Sequence, residues 1–217
     1  MIGDSVDLSR ANWRCVRRLY WILSSWSLPE RRPGVVAIAG ESGSGKTTLA
    51  FALRQEFSRR GVPSRVWQQD DYYRLPPRSN DRRRREDIRW VGPSEVRLEL
   101  LDAHLAALRK GVTVIEKPLV IYPEDRITRE WVSMAGIQMV FVEGTYVSLL
   151  QQVDCRIFIH RTYRDTYLDR MHRARDAQDA FLERVLEMEH RIVRAHKPWA
   201  HILITRDFRV RIYRQPV

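Results

Sequence analysis

Apolar residues along this chain fall into short runs separated by amphipathic stretches, so two periodicities alternate from end to end. Val35 to Ala39, Ile137 to Val142, Arg156 to Ile159 and Ile202 to Thr205 are brief apolar runs, and the first reads as a buried strand. Arg65 to Gln69 reads as a further strand, and Val112 to Ile115 and Leu119 to Ile121 as two shorter ones. Helical spacing predicts a helix from about Lys46 to Arg60, closed by Gly61. A second runs over Glu95 to Lys110, with Ser94 as its N-cap and Gly111 as its stop. Two arginine-rich helices follow, near Tyr163 to Ala177 and Phe181 to Ala195. At the start, Leu8, Trp13, Val16, Tyr20 and Leu23 mark an amphipathic helix whose apolar face should pack on the domain. Pro29 and Pro33-Gly34 then break the chain. Strands alternating with helices predict an α/β fold with a parallel sheet covered on both faces. The expected organisation is an N-terminal helical extension over 1–33 and a single domain over 34–217.

Length and composition narrow this picture. The chain's 217 residues suit one sizeable α/β domain, and 44% apolar against 30% charged residues supports a packed core over disorder. No apolar run approaches the roughly 18 residues of a spanning helix, and the N-terminus lacks a signal-peptide layout. A cytoplasmic protein is therefore expected. Cys15 and Cys155 form neither a disulfide framework nor a metal-ligand cluster. The formal charge of +11 raises the question of nucleic acid. Its densest run, Arg82-Arg83-Arg84-Arg85, sits among Asp81, Glu86 and Asp87 and reads as a solvated loop. No aromatic-interleaved stacking platform accompanies it, so a polynucleotide partner is not expected. Self-association into a homo-oligomer stays open.

The chemistry begins at Gly40-Glu41-Ser42-Gly43-Ser44-Gly45-Lys46-Thr47, with Thr48 following, which fits G-x-x-x-x-G-K-[ST] without a mismatch. The motif lies between a buried strand and a helix, where its glycines let successive amide N–H groups turn around phosphate oxygens. Lys46 can reach β- and γ-phosphates, and the Thr47 hydroxyl can ligate Mg²⁺. This P-loop points to ATP, with GTP as the alternative nucleotide. A kinase also needs an acid near the γ-phosphate, supplied in a parallel sheet from strand carboxyl ends. Asp70 and Asp71 end the second strand, and Glu143 ends the run Val140-Phe141-Val142. Glu143 is placed to serve Mg²⁺, directly or through water. Among Arg161, Arg164, Arg170, Arg173 and Arg175, one or two are expected to neutralise the transferring phosphoryl group from a lid.

In order, "GESGSGKTT", "QDDYYR", "VEGTYVSLL" and "VDCRIFIHRTYRDTYLDRMHRARD" resemble the uridine kinase and phosphoribulokinase-like group of P-loop kinases over about Val35 to Thr205. The resemblance implies a three-layer, nucleoside-kinase-like sandwich with a five-stranded parallel core and a helical lid over about 161–180. It implies that Asp70 is the catalytic base and lies near Mg²⁺, that Tyr73 is the paired aromatic, and that Thr47 and Glu143 organise the metal. Arg170 and Arg173 match the lid arginines best. Asp71, Tyr73, Tyr122 and Arg126 become candidates for the small-molecule acceptor. Nicotinamide riboside kinases carry a similar "QDD" and aromatic pair, so that segment does not choose the acceptor.

Departures fall on the nucleoside side. Trp90-Val91-Gly92-Pro93 stands where uridine kinases have "F-D-H-P", with valine in place of the ribose-binding acid. Ile121-Tyr122-Pro123-Glu124 replaces "P-V-Y-D", Ile127 stands where its downstream histidine would be, and the lid's "R-G-R" is missing apart from Arg175. Phosphorylation of a nucleoside such as uridine or cytidine is the formal expectation. A kinase of nicotinamide riboside, a sugar or a hydroxy acid is the alternative within the group. A polynucleotide 5′-hydroxyl kinase or nucleic-acid-binding NTPase, and a non-catalytic nucleotide sensor, stand outside it.

Overall fold

The strongest apolar runs line up as neighbours in one sheet in the computed structural model, which describes residues 2, 6–26, 28, 33–168 and 179–216. Its strands are β1 (Gly34–Gly40), β2 (Ser64–Gln68), β5 (Met139–Gly144), β6 (Cys155–Ile159), β7 (Ile202–Ile204) and β8 (Val210–Ile212). They lie in the order β2-β5-β1-β6-β7-β8. Five are parallel, as expected, and β8 adds an antiparallel edge beside β7. Every residue of β1 and of β5 is buried, which is why both read as unbroken apolar runs rather than alternations.

Alternation reappears as two cores. Val35, Ala37 and Ala39 face one side with Leu101, Leu105, Leu108 and Val193, carried by α4 (Leu98–Arg109) and α5 (Ala180–Arg194). Val36 and Ile38 face the other, with Leu49, Leu53 and Phe57 of α2 (Lys46–Arg59). The predicted N-terminal helix forms over α1 (Trp13–Ser25), capped by Asn12, whose Oδ1 accepts from the Cys15 N–H at 3.0 Å. Leu8–Arg10 is a separate 3-10 turn. The α1 face of Cys15, Val16, Leu19 and Leu23 is buried in the second core, as expected. The result is an α/β sandwich of three layers. Among the described residues no helix is long and apolar enough to cross a membrane.

Three expectations change. Val112 to Ile121 is not two short strands but mostly one, β3 (Val114–Ile121), paired antiparallel with β4 (Arg126–Ser133) in a ribbon separate from the main sheet. β4 buries only Val132 and therefore carries no apolar alternation to read. The helix expected from Ser94 begins only at Leu98, because Pro93–Glu95 forms a 3-10 turn in which the buried Glu95 carboxylate accepts from the Gly92 N–H at 2.8 Å. The stretch around Arg82-Arg83-Arg84-Arg85 is not a solvated loop. It contains α3 (Pro77–Glu86), with Pro77 at the first helical position. Its sequence, PRSNDRRRRE, has no apolar periodicity to announce a helix. Its first turn is capped from the ribbon's tip, where Asp125 Oδ1 accepts from the Arg78 N–H at 2.6 Å.

Candidate active site

The strand order decides which groups can meet. β5 lies between β2 and β1, with Glu143 level with Gln68 on one side and Ile38 on the other. Their carboxyl ends therefore bring the glycine-rich loop, Glu143 and the Asp70 segment to one rim. The loop enters α2 through Gly45, a left-handed N-cap at φ 97° that side chains tolerate poorly. The first-turn amides of α2, from Lys46 to Thr48, have no preceding turn to bond with and face outward with the positive end of the helix. Lys46 is buried, and its Nζ donates to the Glu41 carbonyl at 2.9 Å.

Thr47 Oγ1 donates to Glu143 Oε1 at 3.1 Å, and Gln68 Nε2 donates to the same oxygen at 3.3 Å. Burial holds the Glu143 carboxyl well above its ordinary value, and Asp70 adds to the shift while Lys46 opposes it. A hydroxyl with two nearby carboxylates is a hard oxygen set that an added divalent charge would relieve. Among the described residues there is no group of three or more His, Cys, Asp or Glu placed for a metal. The Thr47–Glu143–Asp70 set fits Mg²⁺ by its oxygen donors, since that ion keeps waters and phosphate oxygens and needs few protein ligands. Gly144 permits this crowding, because a Cβ there would stand 2.3 Å from the Gln69 Cβ. Gln69 is wholly buried and accepts from the Tyr146 N–H at 2.7 Å, fixing the 3-10 turn Gln69–Tyr72 that carries Asp70.

A model of the phosphoribulokinase/uridine kinase family matches residues 35–205. The chain belongs to that family. A bifunctional alpha-galactosidase/sucrose kinase of Mediterraneibacter gnavus is 30% identical over 206 residues, covering 88% of this chain. The chain spans only 22% of that relative's length. A uridine kinase of Leuconostoc citreum is 26% identical over 187 residues, covering 80% of this chain and 87% of that one. The solved D-glycerate 3-kinase of Cryptococcus neoformans superposes with a TM-score of 0.62 at 14% identity, over 94% of this chain and 100% of that one, a likeness of fold alone. Membership makes the protein a phosphotransferase acting on a hydroxyl group.

Within this family member, the predicted site residues fall into three groups. Lys46, Thr47, Glu143 and Asp70 converge as described. Asp71 turns away from them: it is buried, and both its oxygens are taken by the ribbon, Oδ2 by Lys117 Nζ at 2.7 Å and Oδ1 by the Val120 N–H at 3.1 Å. Tyr122 opens the ribbon's turn, with its N–H donating to the Ile2 carbonyl, and Arg126 is exposed and paired with Glu124 at 2.8 Å. Arg170 and Arg173 lie outside the described residues.

Two neighbours of the loop carry no signal in the sequence. The Glu41 side chain is held by His190 Nδ1 at 2.8 Å and by the Tyr163 N–H at 2.7 Å, tying the loop to α5 and to the base of the expected lid. The arginine run also departs from a solvated surface. Arg84 is largely buried and its guanidinium donates to Glu95 at 2.6 Å, while Arg85 pairs with Asp81 and Asp179. The spacing of Arg84, Glu95 and Glu189 over three separate elements leaves no local motif from which to read them.

Proposed function

We propose that this kinase transfers the γ-phosphoryl group of ATP, with GTP as the alternative nucleotide, to a hydroxyl of a small molecule in the presence of Mg²⁺. The observation that carries the reading is the convergence of Lys46, Thr47, Glu143 and Asp70 on one rim of the sheet beside the P-loop. Lys46 and the first-turn amides hold the β- and γ-phosphates. Thr47 and Glu143, with Asp70 beside them, would hold Mg²⁺, which when bound offsets the negative charge of the phosphates. Asp70 accepts the proton of the acceptor hydroxyl as that oxygen bonds to the γ-phosphorus. The bond from the γ-phosphorus to the β–γ bridging oxygen breaks, and ADP leaves with the electron pair.

Uridine and cytidine are the nucleoside acceptors to test first. A sugar or other small polyol is the second reading, favoured by one observation. Val91 stands where uridine kinases carry the ribose-binding acid, and it is buried at 3% exposure. The test is incubation of the protein with γ-labelled ATP and a panel of nucleosides, sugars and hydroxy acids. Label should appear in an acceptor only when Mg²⁺ is present. Hydrolysis without any labelled acceptor would refute the reading.

A further inference from the structure

Beyond the phosphate-handling rim lies a second polar cluster built from four elements. The wholly buried Glu95 takes Arg84 Nε at 2.8 Å and also accepts from Asn80, whose Oδ1 in turn accepts from Trp90 Nε1 at 2.8 Å. Glu189 of α5, at 6% exposure, approaches Arg84 with one oxygen at 3.6 Å. Among the described residues its other oxygen, Oε2, is buried without a hydrogen-bond partner, and so is the hydroxyl of the wholly buried Tyr146. Glu189 and Tyr146 lie within electrostatic range of each other and of Arg84 and Glu95, and Glu189 also of Asp70 and Lys46. Two polar atoms from different elements, each without a partner among the described residues, thus belong to one electrostatically linked cluster with the proposed base.

Folding does not leave such groups unpaired without compensation, since a buried carboxylate oxygen or phenol with no partner costs about 1–3 kcal/mol. The charges say what would satisfy them. Arg84 is the cation in contact with the cluster's two carboxylates, and it is spent on both. A carboxylate or phosphate arriving here would meet Glu189 and Glu95, and the Arg84 guanidinium beside them already serves both. Hydroxyl groups can donate to Glu189 Oε2 and accept from the Tyr146 hydroxyl.

We propose that Glu189 and Tyr146 form the specificity end of the acceptor site, and that the acceptor is an uncharged polyol whose non-reacting hydroxyls bridge them. The assignment rests on the kinase reading above and narrows its substrate class. It places the binding energy remote from the transferred phosphoryl group, where it orients one hydroxyl toward Asp70.

The test is steady-state transfer from γ-labelled ATP to two acceptor sets: neutral polyols (D-fructose, sucrose, uridine) and anionic alcohols (D-glycerate, a sugar monophosphate). The wild type should phosphorylate a neutral polyol in preference to every anionic alcohol. With that polyol, Glu189→Gln should raise the acceptor KM roughly 10- to 100-fold, and Tyr146→Phe roughly 3- to 10-fold, as expected for losing a charged and a neutral hydrogen bond. The KM for ATP should stay within about twofold in both, a split that a merely structural defect would not produce. Preference for an anionic acceptor, or an unchanged acceptor KM in both variants, would overturn the assignment and leave the kinase reading intact. Should either variant fail to fold, the wild-type preference between the two sets still decides. No transfer to either set, with ATP bound, would overturn the kinase reading itself.

Discussion

Replacing Asp71 with asparagine separates two adjacent carboxylates that the sequence alone cannot tell apart. Asp71 Oδ2 sits 2.7 Å from Lys117 Nζ, and the two side chains are only 4% and 5% exposed. An asparagine amide could still accept from the Val120 N–H, but its NH₂ would then face the Lys117 ammonium, donor against donor. Breaking a buried pair from one side costs about 3–5 kcal/mol because the other charge stays buried. Lys117 keeps Glu130 at 2.8 Å and the Pro118 carbonyl at 3.0 Å, so the lower end, about 3 kcal/mol, is expected. For a domain of this size that is a fall in Tm of roughly 6–12 °C. Thermal unfolding followed by circular dichroism reads the loss, and phosphoryl transfer assayed well below the new Tm reads the chemistry. Transfer should persist within about tenfold. An unchanged Tm with transfer abolished would show that Asp71 works on the acceptor and is not a clamp for the ribbon.

Three other perturbations probe different parts of the account. Gly144→Ala would drive a methyl into Gln69 and tilt the turn that carries Asp70, lowering stability by about 1–3 kcal/mol; a fall in kcat should accompany the lower Tm, and normal values of both would refute the crowding. Leu19→Ala should cost about 2–5 kcal/mol in urea unfolding, since Leu19 is wholly buried between α1 and the second core; a change below about 0.5 kcal/mol would mean that α1 contributes little to the domain. Burial pushes the Glu189 carboxyl from 4.5 up to about 7, with Arg84 opposing and Glu95 reinforcing the shift. A raised acid holds its proton in the folded state, so stability falls as pH climbs from about 4.5 to about 7. Glu189→Gln should therefore gain on the wild type by up to about 3 kcal/mol between pH 4.5 and 8, and a gap independent of pH would contradict it.

The parallel core was legible because β1 and β5 are buried on both faces and the P-loop has a fixed place between a strand and a helix. Lys46, Thr47, Glu143 and Asp70 were legible for the same reason, each being a polar residue at the carboxyl end of an apolar run or in the turn that follows one. What escaped is what the tertiary structure alone assembles. α3 is all polar or basic apart from its proline, and β4 buries only Val132, so neither offers a periodic signal. Asp71 and Asp70 are adjacent in sequence, and only the arrival of Lys117 from the ribbon distinguishes them. Arg84 looked like one of four surface arginines until Glu95 and Glu189, contributed by other elements, took up its charge.

The proposed chemistry turns on Asp70, and one measurement addresses it most directly: nucleotide binding and single-turnover phosphoryl transfer by Asp70→Asn. ATP should bind within a few-fold of the wild-type affinity, because Lys46 and the loop amides are untouched, while transfer falls by about 10²- to 10⁴-fold. Near-normal transfer by Asp70→Asn, with Asp71→Asn folded but inactive, would contradict the placement of the chemistry at Asp70.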